Sequence, residues 1–212
     1  SAALGKLEIA LKNFSKNIHK IEKYYDFSIR QTILNEARDL KLVASNYHNR
    51  AYNNPKLLIY NLKNPMNKLA AKIQLEGGAR IEGVALIKPE QLLGIKIDKV
   101  TQVEKGIIYT KEKGGKQGEV LVSLETYAEL ENYLSLNSKF KINRQDYYND
   151  IKQAAIISKE VSEGSHGLRW NFAKRRMFEY GKADYTYSDS LQQVSYEMKH
   201  NRASITEHYL GG

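Results

Sequence analysis

The side chains best suited to chemistry lie near the C-terminal end of the sequence, in His166-Gly167-Leu168-Arg169 and in the run from Lys199-His200 to Tyr209. Placed on a helix, His166 and Arg169 are three residues apart and project from one side of it. An imidazole exchanges protons near neutral pH and a guanidinium grips phosphate oxygens. A phenol becomes a nucleophile once its proton is taken or its phenolate is stabilised. Together these groups can work on a phosphodiester.

The balance of charge points the same way. The 212 residues include 33 Lys and Arg against 24 Asp and Glu, a formal net charge of +9. A basic surplus favours a polyanionic partner, because each cation set against a phosphate releases condensed counterions. The sequence has no cysteine, which excludes disulfides, thiol catalysis and cysteine-ligated zinc. His166, His200 and His208 have no carboxylate or second histidine at ligand spacing on a shared helix face, so a zinc site is not expected, and attack of a phenol on a phosphodiester requires no metal or nucleotide cofactor. No apolar run is long enough to cross a bilayer and no signal or transit segment opens the chain, so the expected setting is cytoplasmic, with no membrane partner. A start at Ser1-Ala2-Ala3 and an end at Gly211-Gly212 read as a piece of a longer protein.

The elements that must position the reactive side chains can be read from periodicity. Leu4, Leu7, Leu11, Phe14, Ile18 and Ile21 recur at helical spacing, and Ile29, Ile33, Leu34, Ala37 and Leu40 repeat the pattern. Further helices are predicted over Pro55 to Leu62 and Met66 to Leu75, the second stopped by Gly77-Gly78. Arg80 follows that glycine pair, at a loop-to-helix junction. Alternating segments at Leu93 to Val100, Gly106 to Thr110 and Glu119 to Leu124 predict a small antiparallel sheet. Its hairpin tip is crowded by Lys111, Lys113 and Lys116, which are either solvated or carried into a DNA groove. Ser123 can cap a helix through Leu134, and another helix spans about Gln145 to Ser158.

The His166 helix opens at Gly164-Ser165 and carries Phe172, Met177 and Phe178 as apolar anchors. Its cluster of Lys174, Arg175 and Arg176 suits either a solvated face or phosphate contact. A loop is expected around Gly181 to Asp189, then a short helix face of Leu191, Val194 and Met198 ending at His200. Residues 203–210 form one more helix, with Ser204 as candidate N-cap and Tyr209 riding on it.

In this order the boxes resemble the catalytic domain of tyrosine site-specific recombinases, the family of phage integrases and Xer-type resolvases. The likeness covers roughly Asn61 to Leu210 and runs through GGARIEG, KEKGGKQGEVLVS, HGLR, KH and HYL, with nine positions from His200 to Tyr209. Each box alone is weak, and their order and spacing together are specific. The resemblance implies an α+β fold, mainly helical with a small antiparallel sheet. Residues 1–45 would be the end of a core-binding domain or a linker, and 46–212 the catalytic domain. It implies a catalytic set of Arg80, Lys113, His166, Arg169, His200 and the nucleophile Tyr209, with Lys111 and Lys116 left open as alternatives for the lysine. Lys111, Lys116, Lys174, Arg175, Arg176 and Arg202 would contact DNA.

Three departures stand out. The acidic residue often found three positions after the first arginine is Gly83, with Glu82 offered beside it; the glycine that usually precedes the last histidine is Lys199; and the gap from HGLR to His200 is longer than usual. The implied activity is strand cleavage and rejoining through a 3′-phosphotyrosine, on double-stranded DNA, by a homo-tetramer of the full-length protein on paired sites. Alone, the fragment is expected to be monomeric or to associate weakly. A relaxing topoisomerase of type IB has a similar active site, and a basic helical DNA-binding module without catalysis would share the charge.

Overall fold

The computed structural model describes residues 49–200 and 202–210, apart from the side chains of Lys113 and Ser204. The expected helices before residue 46 lie outside the described residues.

Proline and asparagine set the first two helices. Asn54 and Asn64 each accept a backbone N–H through their side chains, and a proline occupies the first turn that follows. They open helix α1 (Pro55–Tyr60) and helix α2 (Pro65–Gly77). Helix α2 ends at Gly78, whose φ of 66° suits glycine and whose face is closed by the Phe172 ring. Arg80 is the N-cap residue of the short helix α3 (Ile81–Val84), the expected loop-to-helix junction.

Strand β1 (Leu86–Ile87) pairs with the distant β5 (Phe140–Lys141) in a two-stranded sheet. Strands β2 (Leu92–Ile97), β3 (Glu104–Lys111) and β4 (Gln117–Val122) form the antiparallel sheet foreseen from the alternation, in the order β2-β3-β4. Thr110 faces Gly118 and Lys111 faces Gln117, so the β3–β4 hairpin carries Glu112 to Lys116 at its tip. Gly114 and Gly115 both have positive φ there. Ser123 caps helix α4 (Leu124–Leu136) by accepting from Thr126 N, as expected, and Asn143 caps helix α5 (Arg144–Ile157).

Helix α6 (Gly164–Lys182) is longer than the sequence reading allowed. It continues through Gly181, and Thr186 caps helix α7 (Tyr187–Glu197) by accepting from Asp189 N. The expected loop of 181–189 therefore shrinks to residues 183–186, because Thr186 and Asp189 within it make a helix start. Helix α8 (Ala203–Glu207) begins one residue before Ser204, which is inside it and not its cap. Tyr209 lies just past this helix, in a turn whose amide N–H donates to Thr206 O at 2.8 Å.

Among the described residues, burial divides into two clusters. The larger joins Leu58, Leu69, Ile73, Ile87, Ile108, Leu130, Phe140, Ile151 and Leu168 across α1 to α6. The second, of Trp170, Phe172, Ala173, Tyr180, Val194, Met198 and Tyr209, lies under the C-terminal elements. Phe172 serves as the expected anchor, whereas Phe178 is 64% exposed and does not.

The chain before α1 clasps the start of α6. Tyr52 Oη donates to Gly164 O at 2.9 Å and accepts from Glu163 N, and Asn171 exchanges two bonds with the Tyr52 backbone. Arg50 pairs with Glu163 at 2.7 Å. Gly167 is required at this contact, since a Cβ there would come within 2.7 Å of Arg50 O. His166 is thereby held at the first turn of a long, packed helix.

Candidate active site

Helix α6 presents His166 and Arg169 toward one pocket, which Arg80, Lys116 and Gln74 also line. Arg169 is 1% exposed. Its Nη1 donates to the carbonyl of Gly78, and its Nη2 donates to Met198 O at 3.1 Å. It therefore ties the end of α2 to the end of α7. Its Nε, buried, has no hydrogen-bond partner.

The Nη2 of Arg169 also stands 3.2 Å from His200 Nε2. A guanidinium has only hydrogens to offer, so Nε2 accepts. The other ring nitrogen, Nδ1, then carries the hydrogen and donates to Thr206 Oγ1 at 2.8 Å. Thr206 on α8 thus fixes the tautomer of His200.

The Tyr209 hydroxyl is 3.1 Å from His166 Nε2. Its ring centroid is 5.0 Å from that of Trp170 and 5.4 Å from each of His166 and His200. Tyr209 is only 6% exposed, so the phenol is packed into the same basin as the two histidines and Arg169. Side chains far apart in sequence converge here: Arg80, Lys116, His166, Arg169, His200 and Tyr209.

Electrostatics follow from this crowding of cations. Burial, then Arg169, depress the His166 pKa to about 4. Burial, Arg169 and Arg80 take His200 down to about 3. Both imidazoles are neutral at pH 7, and His166 Nε2 can receive a proton from the phenol. The arginines that depress His166 also weaken it as a base, an effect that an anion bound beside them would offset.

Stability depends on pH for the same reason. An unfolded histidine takes up a proton near pH 6.5, and the folded site refuses it until about pH 4 or 3. Folding stability from this source is fully present above pH 6.5 and is lost as the pH falls toward the folded values. Urea denaturation should show a loss of roughly 1–2 kcal/mol per histidine between pH 6.5 and 5. The loss should be smaller in His200→Gln, and an equal slope in parent and variant would refute the assignment.

Glu112 is a member of the site that sequence reasoning missed. Its Oε2 accepts from Arg80 Nη1 at 2.6 Å and its Oε1 from Arg80 N at 3.1 Å. Burial opposes its ionisation, but Lys199 and Arg169, with the bonds from Arg80, hold the carboxyl below its usual range. It packs against Gly83, where a Cβ would come within 2.8 Å of its Cγ, whereas Glu82 faces Arg144 at 3.9 Å. Its signal in the sequence is a lone acid among the hairpin lysines, between Lys111 and Lys113.

The predicted DNA contacts divide. Lys111 and Arg202 are exposed and Lys116 enters the pocket; nothing is described of the Lys113 side chain, so of the candidate lysines Lys116 is the one seen with the other site residues. Lys174 donates to Asn49 Oδ1 at 2.9 Å. Arg175 donates to Glu76 O at 2.7 Å and lies over the Phe172 ring. Arg176 is a correction: it is buried, with Nη1 and Nη2 at 2.7 and 2.9 Å from Asp98 and further bonds to Glu179 and Glu197. Three carboxylates engage its donors inside the protein, in place of the phosphate contact expected from the sequence. Among the described residues no group of three or more His, Cys, Asp or Glu is arranged to hold a metal ion, and no helix is long and apolar enough to cross a membrane.

No protein-family model matches the sequence, and no curated protein does either. Solved structures do match. The XerH recombinase in a post-cleavage complex with palindromic difH substrate aligns with a TM-score of 0.57 at 17% identity, over 79% of this chain and 50% of that one. The λ integrase(75-356) dimer bound to a COC′ core site aligns at 0.55 and 15% identity, over 96% of this chain and 78% of that one. The fold is that of the tyrosine recombinase catalytic domain. XerA recombinase gives the same result, at 0.54 and 15% identity over 95% of this chain and 77% of its own. The chain spans about half the length of XerH. Within this recombinase fold the five motif boxes fall on α3, the β3–β4 hairpin, the start of α6, the end of α7 and the turn after α8.

Proposed function

We propose that this chain cleaves and rejoins DNA strands as a site-specific recombinase, through a 3′-phosphotyrosine on Tyr209. The observation that carries the reading is the meeting of the Tyr209 hydroxyl with His166 at 3.1 Å, beside the buried guanidinium of Arg169. The DNA-bound state of the XerH and λ integrase neighbours supports the same substrate class.

The step balances without a cofactor. The phenol oxygen attacks the scissile phosphorus while its proton passes to His166 Nε2, and the bond from phosphorus to the 5′-oxygen breaks. The departing 5′-oxygen takes a proton from a hairpin lysine, a role that Lys116 fits by its place in the pocket. Arg80 and Arg169 hold the non-bridging oxygens, whose charge grows in the transition state. His200 keeps Arg169 oriented, and donates to the phosphate only after Nε2 gains a hydrogen of its own. The phosphodiester energy is kept in the tyrosyl link, so a second 5′-hydroxyl can reverse the reaction. In this reading residues 1–45 end a core-binding domain, residues 46–212 are the catalytic domain, and the full-length protein works in the cytoplasm as a tetramer on paired sites.

The test is covalent trapping on nicked suicide duplexes that lose the 5′-hydroxyl strand after cleavage. A denaturation-resistant protein–DNA adduct is expected, with the modified peptide mapping to Tyr209. Adducts on another residue would overturn the nucleophile. Salt-sensitive DNA binding with no adduct on any duplex of a panel would favour the non-catalytic DNA-binding module.

A further inference from the structure

The carboxylate of Glu112 lies where three parts of the site meet. Besides Arg80 at the start of α3, it binds the ammonium of Lys199, Nζ to Oε1 at 3.2 Å. Its own amide donates to Lys116 O at 2.6 Å, closing the tip of the hairpin. None of the Glu112 side chain and only 6% of the Lys199 side chain is exposed.

Lys199 occupies a position that a lysine fits poorly. Helix α7 ends with Lys199 N donating to Tyr196 O at 2.9 Å and His200 N donating to Ser195 O at 2.8 Å. This double bond pattern needs a left-handed residue at its hinge, normally glycine, and Lys199 has φ 57°. Backbone strain and a desolvated ammonium both oppose lysine here. The compensating contact is Glu112. Room for that carboxylate comes from Gly83, where a Cβ would come within 2.8 Å of Glu112 Cγ. A bare glycine, a buried acid and a left-handed lysine, each unfavourable or unusual alone, make sense together.

We infer that Glu112 and Lys199 are positioning residues, whose ion pair clamps the turn bearing His200 to the hairpin bearing Lys116, so that Arg80, Lys116 and His200 meet the scissile phosphate as one preset unit. The effect on rate rests on the recombinase reading; the clamp itself does not. Without the pair, the hairpin tip, whose Gly114 and Gly115 have positive φ, is tied to the His200 turn less firmly. A reacting group misplaced by about 1 Å costs on the order of 100-fold in rate.

Lys199→Gly is the informative variant, because glycine suits the left-handed turn and the fold should persist. Single-turnover cleavage of a suicide duplex at saturating DNA should fall about 10- to 100-fold, with DNA affinity within about twofold of the parent, as expected when an interaction acts on the step and not on binding. Lys199→Arg, which keeps the pair, should recover most of the rate. Glu112→Gln should slow cleavage, and the double variant Glu112→Gln with Lys199→Gly should be no slower than the worse single one, since a broken pair cannot be broken twice. Parent-like cleavage by Lys199→Gly, equal loss in Lys199→Arg, or simple additivity would each overturn the clamp. Hydrogen exchange of the free proteins separates this from failure of the recombinase reading. Hairpin amides between residues 105 and 120 should exchange faster in Lys199→Gly than in the parent, and unchanged protection would sink the clamp even if no duplex is ever cut.

Discussion

Tyr209→Phe is expected to abolish the covalent adduct, reducing strand cleavage by at least about 10⁴-fold, while leaving the protein folded. The phenol ring supplies much of the packing at this spot, set among Trp170, His166 and His200, and phenylalanine keeps that ring. Only the hydroxyl is lost, with its bond to His166 Nε2. Losing one such bond costs about 1 kcal/mol, a small part of the stability of a domain this size. DNA affinity should stay close to that of the parent, since the arginines and hairpin lysines are untouched. Tyr196→Phe, altered at a tyrosine that is 63% exposed, is the matched control and should cleave normally. Adduct formation by Tyr209→Phe would remove this residue from the mechanism, whatever the fold.

The second large effect is on stability. Arg176→Met should cost about 3–5 kcal/mol, because it strips the counter-charge from a carboxylate that has left water. Asp98 is only 4% exposed, and its carboxyl is held at about 2: burial pushes it up, and the Arg176 and Thr101 hydrogen bonds more than reverse this. Glu197 loses the same partner while still accepting from Tyr180. With each kcal/mol worth about 2–4 °C at this size, the melting temperature should drop by roughly 10 °C, and the drop should be partly recovered by adding Asp98→Asn. DNA binding by the folded fraction should be unchanged. A parent-like melting temperature with weakened DNA binding would restore Arg176 to the DNA-contacting face on which sequence reading had put it.

That reading failed at Arg176 for a physical reason. Lys174, Arg175 and Arg176 are adjacent in sequence, but successive residues of a helix point about 100° apart, so a basic run cannot present one face. The partners that turn Arg176 inward, Asp98 and Glu197, come from the end of β2 and from α7, and no local pattern announces them. Local patterns did announce the cap at Ser123, the hairpin and the helical spacing of His166 and Arg169, because these depend on neighbours a few positions away. The loop expected at 181–189 was overcalled since Gly181, Asp184 and Asp189 are loop formers by composition. Thr186 and Asp189 together start a helix, and the loop formers between Gly181 and Thr186 leave only a short turn. Glu112 was the hardest residue to foresee. Its meaning comes from Arg80 and Lys199, which touch it across more than 30 positions on either side.

The clasp of Arg50 and Tyr52 on the head of the His166 helix sets a boundary for anyone who wishes to shorten this protein. A version starting at Pro55 would keep every helix and strand given above, yet it would lose the groups that satisfy Gly164 O, Glu163 N and the Asn171 amide. The surface beneath Gly167 would be opened to solvent. Shortened versions should begin upstream of Arg50, since this strap is tied by its bonds to the head of the His166 helix, whatever its place in the order of the chain.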